Sequence, residues 1–572
     1  MASSLFFNGR QYSTPSAPSQ INDSAMAPQS LTVGNVLALI GRCTGSEPNK
    51  PVKHAGPTQA RRVLKTGDLA DAAVAAFAPS AMTNAPAMVV TIRVGKATKA
   101  SLVVKDTAGA DALTIEDADW GPDGNAIKAR IEAGTVRGKR VTVVQKENTY
   151  QQDNLARDLI TVRYAGAEAT ATITTSPESV VLSVGNATAA NISLADFKTI
   201  QDLADRIGAT PGFTATIATG AARLASSGID RLTAQDVKTA AKVVTGDLQA
   251  IVDWLNSPAV PVVTAKRAAS ASLPPATMPF TYLTGGTEPA ATAEDWQNAF
   301  TALQKVEAQA FVPVTGDPAV HAMADAHAIF MSGPGMKERR SFVGGALGQT
   351  TSAVITAAKA LNSDRSAMCW PGHQAYDADG RLAMLPPYMT AVLVAAGFAG
   401  LNPGQSMTNK SLRIAGLETT PVNPTDTDEL IQGGVLCIED TEEGFKVCRA
   451  VSTWLASDNY NRVEISCGYA VDFAIRNVRQ AVQILRGEPM DELLLARYVT
   501  IADSALRELS RPRPAGPGVL VGDEENPPYR NIRARLQGDT APLEFEASPV
   551  IPGNFFPITM SIVPYSGTAT AA

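Results

Sequence analysis

The fold is decided by residues 282–304, which read YLTGGTEPAATAEDWQNAFTALQ. A Gly-Gly pair ends an extended segment, and Thr292 followed three residues later by Asp295 has the pattern of a helix N-cap. The apolar residues that follow recur at the spacing of one helix face: Trp296, Phe300, Leu303 and Val306. This stretch therefore predicts a turn and then an amphipathic helix that covers a core.

Short apolar runs alternate with helical stretches on both sides of this helix. The runs are residues 32–40, 310–314, 341–343, 367–370 and 435–438. Helices are predicted over residues 70–77 and from Pro318, where proline takes its favoured first position. Such alternation is typical of a mixed or parallel sheet flanked by helices. We predict an α/β fold (α and β mixed) with a core domain that is discontinuous in sequence.

The interruption of the core lies between the first apolar run, residues 32–40, and the later runs, which begin at residue 310. Residues 91–184 are rich in Val, Thr and Ile with glycine turns and predict a mainly β region. Two helices are predicted after it, one capped by Ser193 and Asp196, the other opening at Thr233 and Asp236 and ending near Leu255. The predicted divisions are an N-terminal arm (1–30), a first core segment (31–90), an inserted mainly β subdomain (91–185), an inserted α/β subdomain (186–273), a second core segment (274–515) and a C-terminal strand arm (516–572).

The two ends of the chain differ from the middle. Residues 11–30 consist largely of Ser, Pro, Ala and Gln. Such a segment buries too little apolar surface to offset its loss of conformational entropy on folding, so its composition predicts an arm. A small apolar cluster that could serve as an anchor precedes them: Leu5, Phe6 and Phe7. At the other end, apolar and polar residues alternate in short segments between prolines, which predicts half-buried strands whose partners lie elsewhere. The apolar members are Ile532, Ala534, Leu536, Leu543, Phe545, Ile558, Met560 and Ile562.

Composition excludes several classes of protein. The 572 residues are 45% hydrophobic and 18% charged, with a net charge of -6, so the basic excess of a general nucleic-acid binder is missing. That length suggests about three or four domains. The longest apolar run, residues 389–401, is shorter than the ~20 residues of a membrane span, and the first residues lack a secretory signal pattern. Five cysteines without a CxxC motif predict reduced thiols in a chain made in a cytoplasm.

The motifs that would carry chemistry are weak. Residues 341–351, SFVGGALGQTT, lack the lysine and spacing of a P-loop and predict tight turns. His321 and His327 lie six residues apart on one predicted helix and cannot share a metal ion. We expect His327 to be a core histidine and His321 to pair with Asp325 at the surface. No metal or cofactor is predicted.

A cysteine nucleophile is conceivable at one place. Cys369 and His373 are near each other and near Asp364, as a Cys–His pair would require. However, Cys369 lies in the apolar run AMCW, which predicts a buried strand, and no GxSxG elbow occurs in the sequence. An α/β enzyme therefore stays open only as an alternative.

One predicted helix has a basic edge. Over residues 468–486, helical-wheel arithmetic places Arg476, Arg479 and Arg486 within about 80° of one another, opposite a broad apolar arc. Such an edge is either a solvated face or a strip that docks an acidic partner.

Several of these blocks together resemble the sheath proteins of contractile phage tails. Residues 282–304 are similar to that family's Leu-x-Gly-Gly-Thr segment, spacer, Asp-Trp pair and helix. The strand–helix–strand that follows, up to the pair Arg339 and Arg340, is similar as well, as are WGPDGNAIKARIEAG (120–134) and PPYMTAVLVAAGFAGLNPGQS (386–406). The chain departs from the family at residues 448–459, where CRAVSTWLASDN replaces the usual Arg-Thr motif.

This resemblance implies a structural function. Sheath subunits form stacked hexameric rings around a tail tube, and contraction drives the tube through the host envelope. The implied partners are further copies of the chain, the tail tube protein, and the baseplate and tail terminator proteins, with no nucleic acid and no membrane insertion. The implied location is the virion tail, after assembly in the bacterial host cytoplasm. A sheath of a bacteriocin-type or secretion-type device is the nearest alternative.

The resemblance also assigns surfaces. Terminal arms of sheath subunits donate strands to sheets of neighbouring subunits, a form of β-augmentation. The side chains expected to take part are Leu5, Phe6, Phe7, Ile532, Leu536, Leu543, Phe545, Ile558, Met560 and Ile562. The family's contact with the tube lies in the C-terminal region of the core, which makes Arg476, Arg479 and Arg486 the tube-facing candidates.

Overall fold

The computed structural model describes residues 5–7, 10–12, 36–269, 273–376 and 380–562, and it divides into two compact units. The larger unit contains residues 36–400 and 407–457, and the smaller one contains residues 401–406 and 458–572 together with the N-terminal segment. Within the described ranges, no helix combines the length and the hydropathy that crossing a membrane requires.

The strands are short and numerous, as the mainly β segments predicted. In chain order they are β1 (Leu5–Phe7), β2 (Arg10–Tyr12), β3 (Val36–Gly41), β4 (Val52–His54), β5 (Met88–Arg93), β6 (Ser101–Lys105), β7 (Asp111–Asp117), β8 (Lys128–Ala133), β9 (Lys139–Gln145), β10 (Asn148–Leu155), β11 (Asp158–Tyr164), β12 (Ala171–Thr175), β13 (Ser179–Val184), β14 (Ala187–Ser193), β15 (Phe213–Ile217), β16 (Leu232–Asp236), β17 (Lys242–Thr245), β18 (Val263–Arg267), β19 (Met278–Tyr282), β20 (Ala310–Pro313), β21 (Arg340–Gly344), β22 (Ser366–Trp370), β23 (His373–Tyr376), β24 (Leu382–Leu385), β25 (Gly416–Leu417), β26 (Val435–Thr441), β27 (Gly444–Val447), β28 (Tyr529–Ala534) and β29 (Leu543–Ala547).

Most helices lie between the strands of the core or near the C-terminal end. They are α1 (Pro57–Leu64), α2 (Asp68–Ala75), α3 (Ile200–Gly208), α4 (Asp247–Leu255), α5 (Ala293–Leu303), α6 (Pro318–Ser332), α7 (Thr351–Leu361), α8 (Pro387–Gly400), α9 (Thr425–Gln432), α10 (Tyr460–Val463), α11 (Ile465–Val482) and α12 (Glu492–Ser510).

An eight-stranded sheet forms the core of the larger unit. Its order is β27-β26-β22-β21-β20-β3-β5-β4, and the six strands from β26 to β5 are parallel while the two edge strands are antiparallel. All residues of β20, β21 and β22 are buried, as expected for parallel strands covered on both faces. The predicted α/β class with mixed helices and strands is confirmed.

Helices cover both faces of this sheet. On one face, Trp296 and Phe300 of α5 pack with Val320 of α6 against β3 and β5. The other face is partly covered by α8, which is buried along nearly its whole length, and the Phe398 ring lies 5.4 Å from that of Phe342 on β21. The predicted cap of α5 is present, with Thr292 and Asp295 each bonding the other's backbone.

The inserted region consists of two nested bodies. The outer body uses β6–β10, β18, β19 and α4 around one apolar cluster, and the inner body uses β11–β17 and α3 around another. The predicted division between residues 185 and 186 is therefore wrong, because strands on either side of it pair: β11 with β15 and β17, and β12 with β16. β19, predicted to lie in the second core segment, pairs with β8 of the insertion.

Two predicted helix starts in this region are also wrong. Ser193 ends β14, and the helix cap is instead the reciprocal Thr199–Asp202 pair of α3. Thr233 and Asp236 lie in β16, where the Asp236 carboxylate accepts a bond from the Lys238 amide in a turn. The helix ending at Leu255 begins only at Asp247.

The chain enters and leaves the insertion side by side. The Thr98 amide donates to the Thr287 carbonyl at 3.0 Å, which pairs the outgoing and returning segments. Next to them the fully buried Arg93 forms an ion pair with Glu288, and it also donates to the Ser46 carbonyl at 2.9 Å. One guanidinium thus joins the core loop after β3, the end of β5 and the returning segment.

The smaller unit is built on α11 and α12. Phe473 and Val478 of α11 pack with Leu506 and Leu509 of α12, and residues 519 and 520 complete the cluster. The Asp491 carboxylate caps α12 by accepting a bond from the Leu494 amide at 2.7 Å.

Candidate assembly surfaces

The C-terminal strands form a hairpin with each other. β28 and β29 pair antiparallel, with Tyr529 opposite Ala547 and Ala534 opposite Leu543. The expectation that these strands pair elsewhere is therefore wrong, since the turn between them is short enough to close locally. Among the described residues the sheet has only these two strands, so the outer edge of each can still accept another strand.

The inner face of this hairpin packs on its own unit. The half-buried side chains of Ile532, Leu543 and Phe545 contact the cluster of α11 and α12, and the Tyr529 hydroxyl donates to Asp503 at 2.9 Å. The predicted alternation of buried and exposed residues is thus present, with the chain's own helices as the covering layer. Leu536 lies beyond β28 and is 41% exposed.

The segment that follows the hairpin is exposed and apolar. Ile558, Met560 and Ile562 are 91%, 78% and 86% exposed, and they lie outside any strand or helix. The backbone of residues 556–562 makes no hydrogen bond with the portion of the chain that the structure describes. The segment is attached at Asn554, whose amide donates to the Glu464 carboxylate at 2.9 Å. Residues 556–562, here named the C-terminal tail, thus present unpaired backbone together with large apolar side chains.

Phe556 is a member of this surface that the sequence did not single out. It is 80% exposed and directly precedes Pro557. An aromatic residue beside a proline in a segment without helical spacing was the available signal. A second signal was its spacing, since Phe556 lies two residues before Ile558 and so continues the alternation of Ile558, Met560 and Ile562.

The N-terminal arm is only partly described. β1 and β2 pair antiparallel, with Leu5 opposite Tyr12, Phe6 opposite Gln11 and Phe7 opposite Arg10. The strand character of the Leu5–Phe7 cluster is thereby established at the level of the backbone. The rest of the predicted arm, residues 1–4, 8, 9 and 13–30, lies outside the described residues.

The three arginines of the predicted basic edge do not share one helix. Arg476 and Arg479 lie on α11 and are half-buried, whereas α11 ends at Val482, a 3-10 turn follows, and the exposed Arg486 comes after that turn. The helical-wheel placement of Arg486 is therefore wrong. Tyr469 lies near Arg476 on the inner side of α11, and burial raises the pKa of Tyr469 to about 12.

The residues considered for catalysis have structural partners. Cys369 is fully buried on β22, which raises the pKa of its thiol far above the ordinary value. His373 is buried, its Nδ1 lies 2.8 Å from the Thr390 hydroxyl, and that hydroxyl donates to the Pro371 carbonyl. His373 lines a mostly apolar cleft of about 560 Å³, and Cys369 is not among the lining residues. A thiol and imidazole in these settings do not form a nucleophile–base pair.

The two histidines of α6 are both interior. His327 lies against the rings of Phe300 and Phe311, and its Nε2 is 3.3 Å from the Arg339 guanidinium, as expected for a core histidine. The expected surface position of His321 is wrong: it is buried, with Nε2 2.9 Å from the Thr315 carbonyl. Across the residues that the structure describes, no group of three or more His, Cys, Asp or Glu side chains is arranged to hold a metal ion.

Comparison with known proteins relates the chain to one group. No family model matches it. A tail sheath protein of Bacillus phage SP01 is 26% identical over 99% of this chain and 98% of its own length, and a putative tail sheath protein of Enterococcus phage phiEF24C is 28% identical over 83% and 85%. The chain is a homologue of phage tail sheath proteins.

Solved structures give the same fold. The sheath tail protein of Desulfitobacterium hafniense superposes with a TM-score of 0.54 over 94% of this sheath homologue and 97% of that chain, at 12% identity. The sheath tail protein of Listeria innocua gives a TM-score of 0.52, also at 12% identity. The relatives are structural tail proteins and not enzymes, which removes the alternative of an α/β enzyme.

Proposed function

We propose that this sheath homologue is the structural subunit of a contractile phage tail sheath. Its copies form stacked hexameric rings around the tail tube, and the rings contract to drive the tube through the host envelope. The observation that carries the proposal is the relationship to a phage tail sheath protein over 99% of the chain. A sheath of a related injection device of the bacteriocin or secretion type is the second candidate, because such a device requires the same architecture.

The exposed segments support assembly by exchange of strands. The open edges of the β28–β29 hairpin offer backbone groups, and the C-terminal tail offers an extended, unpaired backbone with apolar side chains. We propose that the tail of one subunit adds to the edge of a neighbour's hairpin. Each backbone bond contributes only about 1 kcal/mol net, and each buried Ile or Met roughly 1.5–3 kcal/mol, so strength comes from repetition along the polymer.

The N-terminal arm has a related role in this proposal. Residues 11–30 can span at most roughly 70 Å at ~3.5 Å per residue, enough to reach a neighbouring subunit while remaining attached. Leu5, Phe6 and Phe7 would take part in the neighbour's sheet. The energy of contraction comes from new contacts between subunits rather than from a nucleotide.

Electron microscopy of the purified full chain tests the function. Negative staining is expected to show long striated tubes with sixfold symmetry in end views. A variant lacking residues 1–30 is expected to stay monomeric, with the thermal unfolding midpoint of the full chain. Exclusively monomeric full chain in the presence of the companion tube protein would contradict the sheath function, and normal tubes from the truncated variant would contradict the role of the arm.

A further inference from the structure

Two of the five cysteines face each other across the edge of the core sheet. In the β26–β27 hairpin, Ile438 is opposite Val447, so the next pair along the register is Cys437 and Cys448. The Cys448 amide donates to the Cys437 carbonyl at 3.0 Å, which makes them a directly opposed, hydrogen-bonded pair. The Cα atoms of such a pair are roughly 5.5 Å apart, within the range of about 4.4–6.8 Å that a disulfide spans.

The two side chains also lie in the same apolar environment. Cys437 is fully buried in the cluster formed with α7 and α9, and the half-buried Cys448 packs against the same cluster. All five cysteines are free thiols, and among them only Cys448 is not fully buried. Cys448 also opens the stretch CRAVSTWLASDN, which the proposed function leaves without a role.

We propose that Cys437 and Cys448 are an oxidative modification site, which forms a reversible intramolecular disulfide when the protein meets an organic disulfide such as oxidised glutathione. The bond covalently joins β26 to the chain just past β27, at the edge of the core sheet. Both partners lie in one hairpin, so the bond needs no change in strand order and does not depend on assembly.

The reaction is a two-step thiol–disulfide exchange. The half-buried Cys448 sulfur, as thiolate, attacks oxidised glutathione, and one glutathione leaves as thiolate. Cys437 then gives up its proton and attacks the Cys448 sulfur, and the second glutathione leaves. Two protein thiols are oxidised, and one glutathione disulfide is reduced to two thiols. The neighbouring Cys437 thiol lowers the pKa of Cys448, which favours Cys448 as the attacking sulfur.

The test uses the full chain and oxidised glutathione. The expected result is the loss of two of the five titratable thiols, a peptide pair linked through Cys437 and Cys448 in a non-reducing digest, and full reversal by dithiothreitol. A stable glutathione adduct on Cys448 without the linked pair, or no reaction under native conditions, would overturn the proposal. This mapping needs no variant.

Variants assign the two roles. Cys437→Ser is expected to stop at the mixed disulfide on Cys448, and Cys448→Ser to leave Cys437 unmodified. Cys43→Ser is the matched control, because the Cys43 thiol donates to the Gly45 carbonyl at 3.0 Å and a serine hydroxyl can replace that donor. It is expected to form the disulfide at the wild-type rate. A linked pair that persists in Cys448→Ser, through any other cysteine, would contradict the assignment.

Discussion

Charged and polar side chains in the interior of this protein hold backbone in place. The Arg339 guanidinium donates to the Leu303 carbonyl at 3.1 Å and to the Val306 carbonyl at 2.9 Å, closing the end of α5 against the approach to β21. Arg93 does the same between the core and the insertion. Removing one member of a buried ion pair typically costs about 3–5 kcal/mol, because the other charge stays buried without a partner. Arg93 and Arg339 therefore have structural roles.

The burial of His373 makes the stability of the folded protein depend on pH. Burial lowers the pKa of His373 to about 4, well below that of an unfolded chain. Between about pH 6 and pH 4 the unfolded state therefore binds more protons at this residue, and stability falls as the pH falls, by up to about 1.4 kcal/mol per pH unit. Replacing His373 should therefore make the dependence of stability on pH shallower.

The role of His373 can be tested with the variant His373→Asn, because the side-chain amide of asparagine can replace the Nδ1 group that donates to Thr390. Its unfolding midpoint is expected to vary less than that of the wild type between pH 7 and pH 4.5. The quantity to compare is the slope of the unfolding midpoint against pH, measured for the wild type and for the variant. Burial raises the pKa of Asp230 and Asp247, so these two groups change the stability with pH in the opposite direction to His373. Because both proteins contain them, the difference between the two slopes reports on His373. Parallel slopes for the two proteins would contradict the assignment to His373.

Residue type predicted the environment of some of these groups better than others. His327 was expected in the core because it shares a helix face with apolar neighbours. His321 was expected at the surface because Asp325 lies one turn away, yet the loop after β20 folds over it and supplies the Thr315 carbonyl. Local spacing carries no information about such a loop, since its position depends on the sheet.

At the scale of elements, the core was more predictable than the insertion. Strands β20, β21 and β22 are apolar throughout because both faces are covered, so each is visible in a short window. The helix start predicted at Ser193 was wrong because a second, similar capping signal begins six residues later, at Thr199. Ser193 instead pairs with β13 as the last residue of β14, so the helix begins only after Thr199. β16 pairs with a strand far away in sequence, which no local pattern reports.

The C-terminal tail can be tested as an element by its two alternating faces. Replacing Ile558, Met560 and Ile562 together with serine is expected to abolish tube formation, because several kcal/mol of apolar burial per subunit contact is lost. The monomer should keep its unfolding midpoint, since these side chains are 91%, 78% and 86% exposed. Sedimentation of assembled tubes and thermal unfolding give the two measurements.

The matched control changes the residues in between. Thr559→Ala with Ser561→Ala alters the same segment on its other face and is expected to leave tubes intact. Tubes of normal yield from the triple serine variant would show that the tail does not bind a neighbour. Loss of tubes in both variants would exclude recognition by the alternating apolar face.

At the scale of the whole molecule, assembly requires surfaces that a single chain leaves uncovered. The C-terminal strands were predicted to pair with another subunit. In the monomer, Ile532, Leu543 and Phe545 instead pack on helices of the same chain. The rest, the open hairpin edges and the tail, was predictable as strand-forming sequence. Which edge each segment meets depends on a second copy of the chain, and one sequence does not specify that geometry.

Attachment to the tube can be examined through Arg486. It is exposed and lies outside α11, so Arg486→Glu should leave the fold intact, whereas Arg476 and Arg479 are half-buried. If it faces an acidic tube surface, charge reversal is expected to weaken co-sedimentation with purified tube several-fold at low salt, and the difference should shrink as salt increases. Arg163→Glu, an exposed reversal in the insertion, is the control. Equal co-sedimentation of the two variants would contradict a tube-facing Arg486.

The paired segments at Thr98 and Thr287 have a consequence for evolution. A region whose entry and exit lie next to each other can be enlarged, shortened or exchanged without moving the two ends that it joins. The core sheet then receives the same two connections whatever lies between them. Phages can thus vary the two inserted bodies of a sheath homologue under selection from different surroundings, while the core sheet stays unchanged.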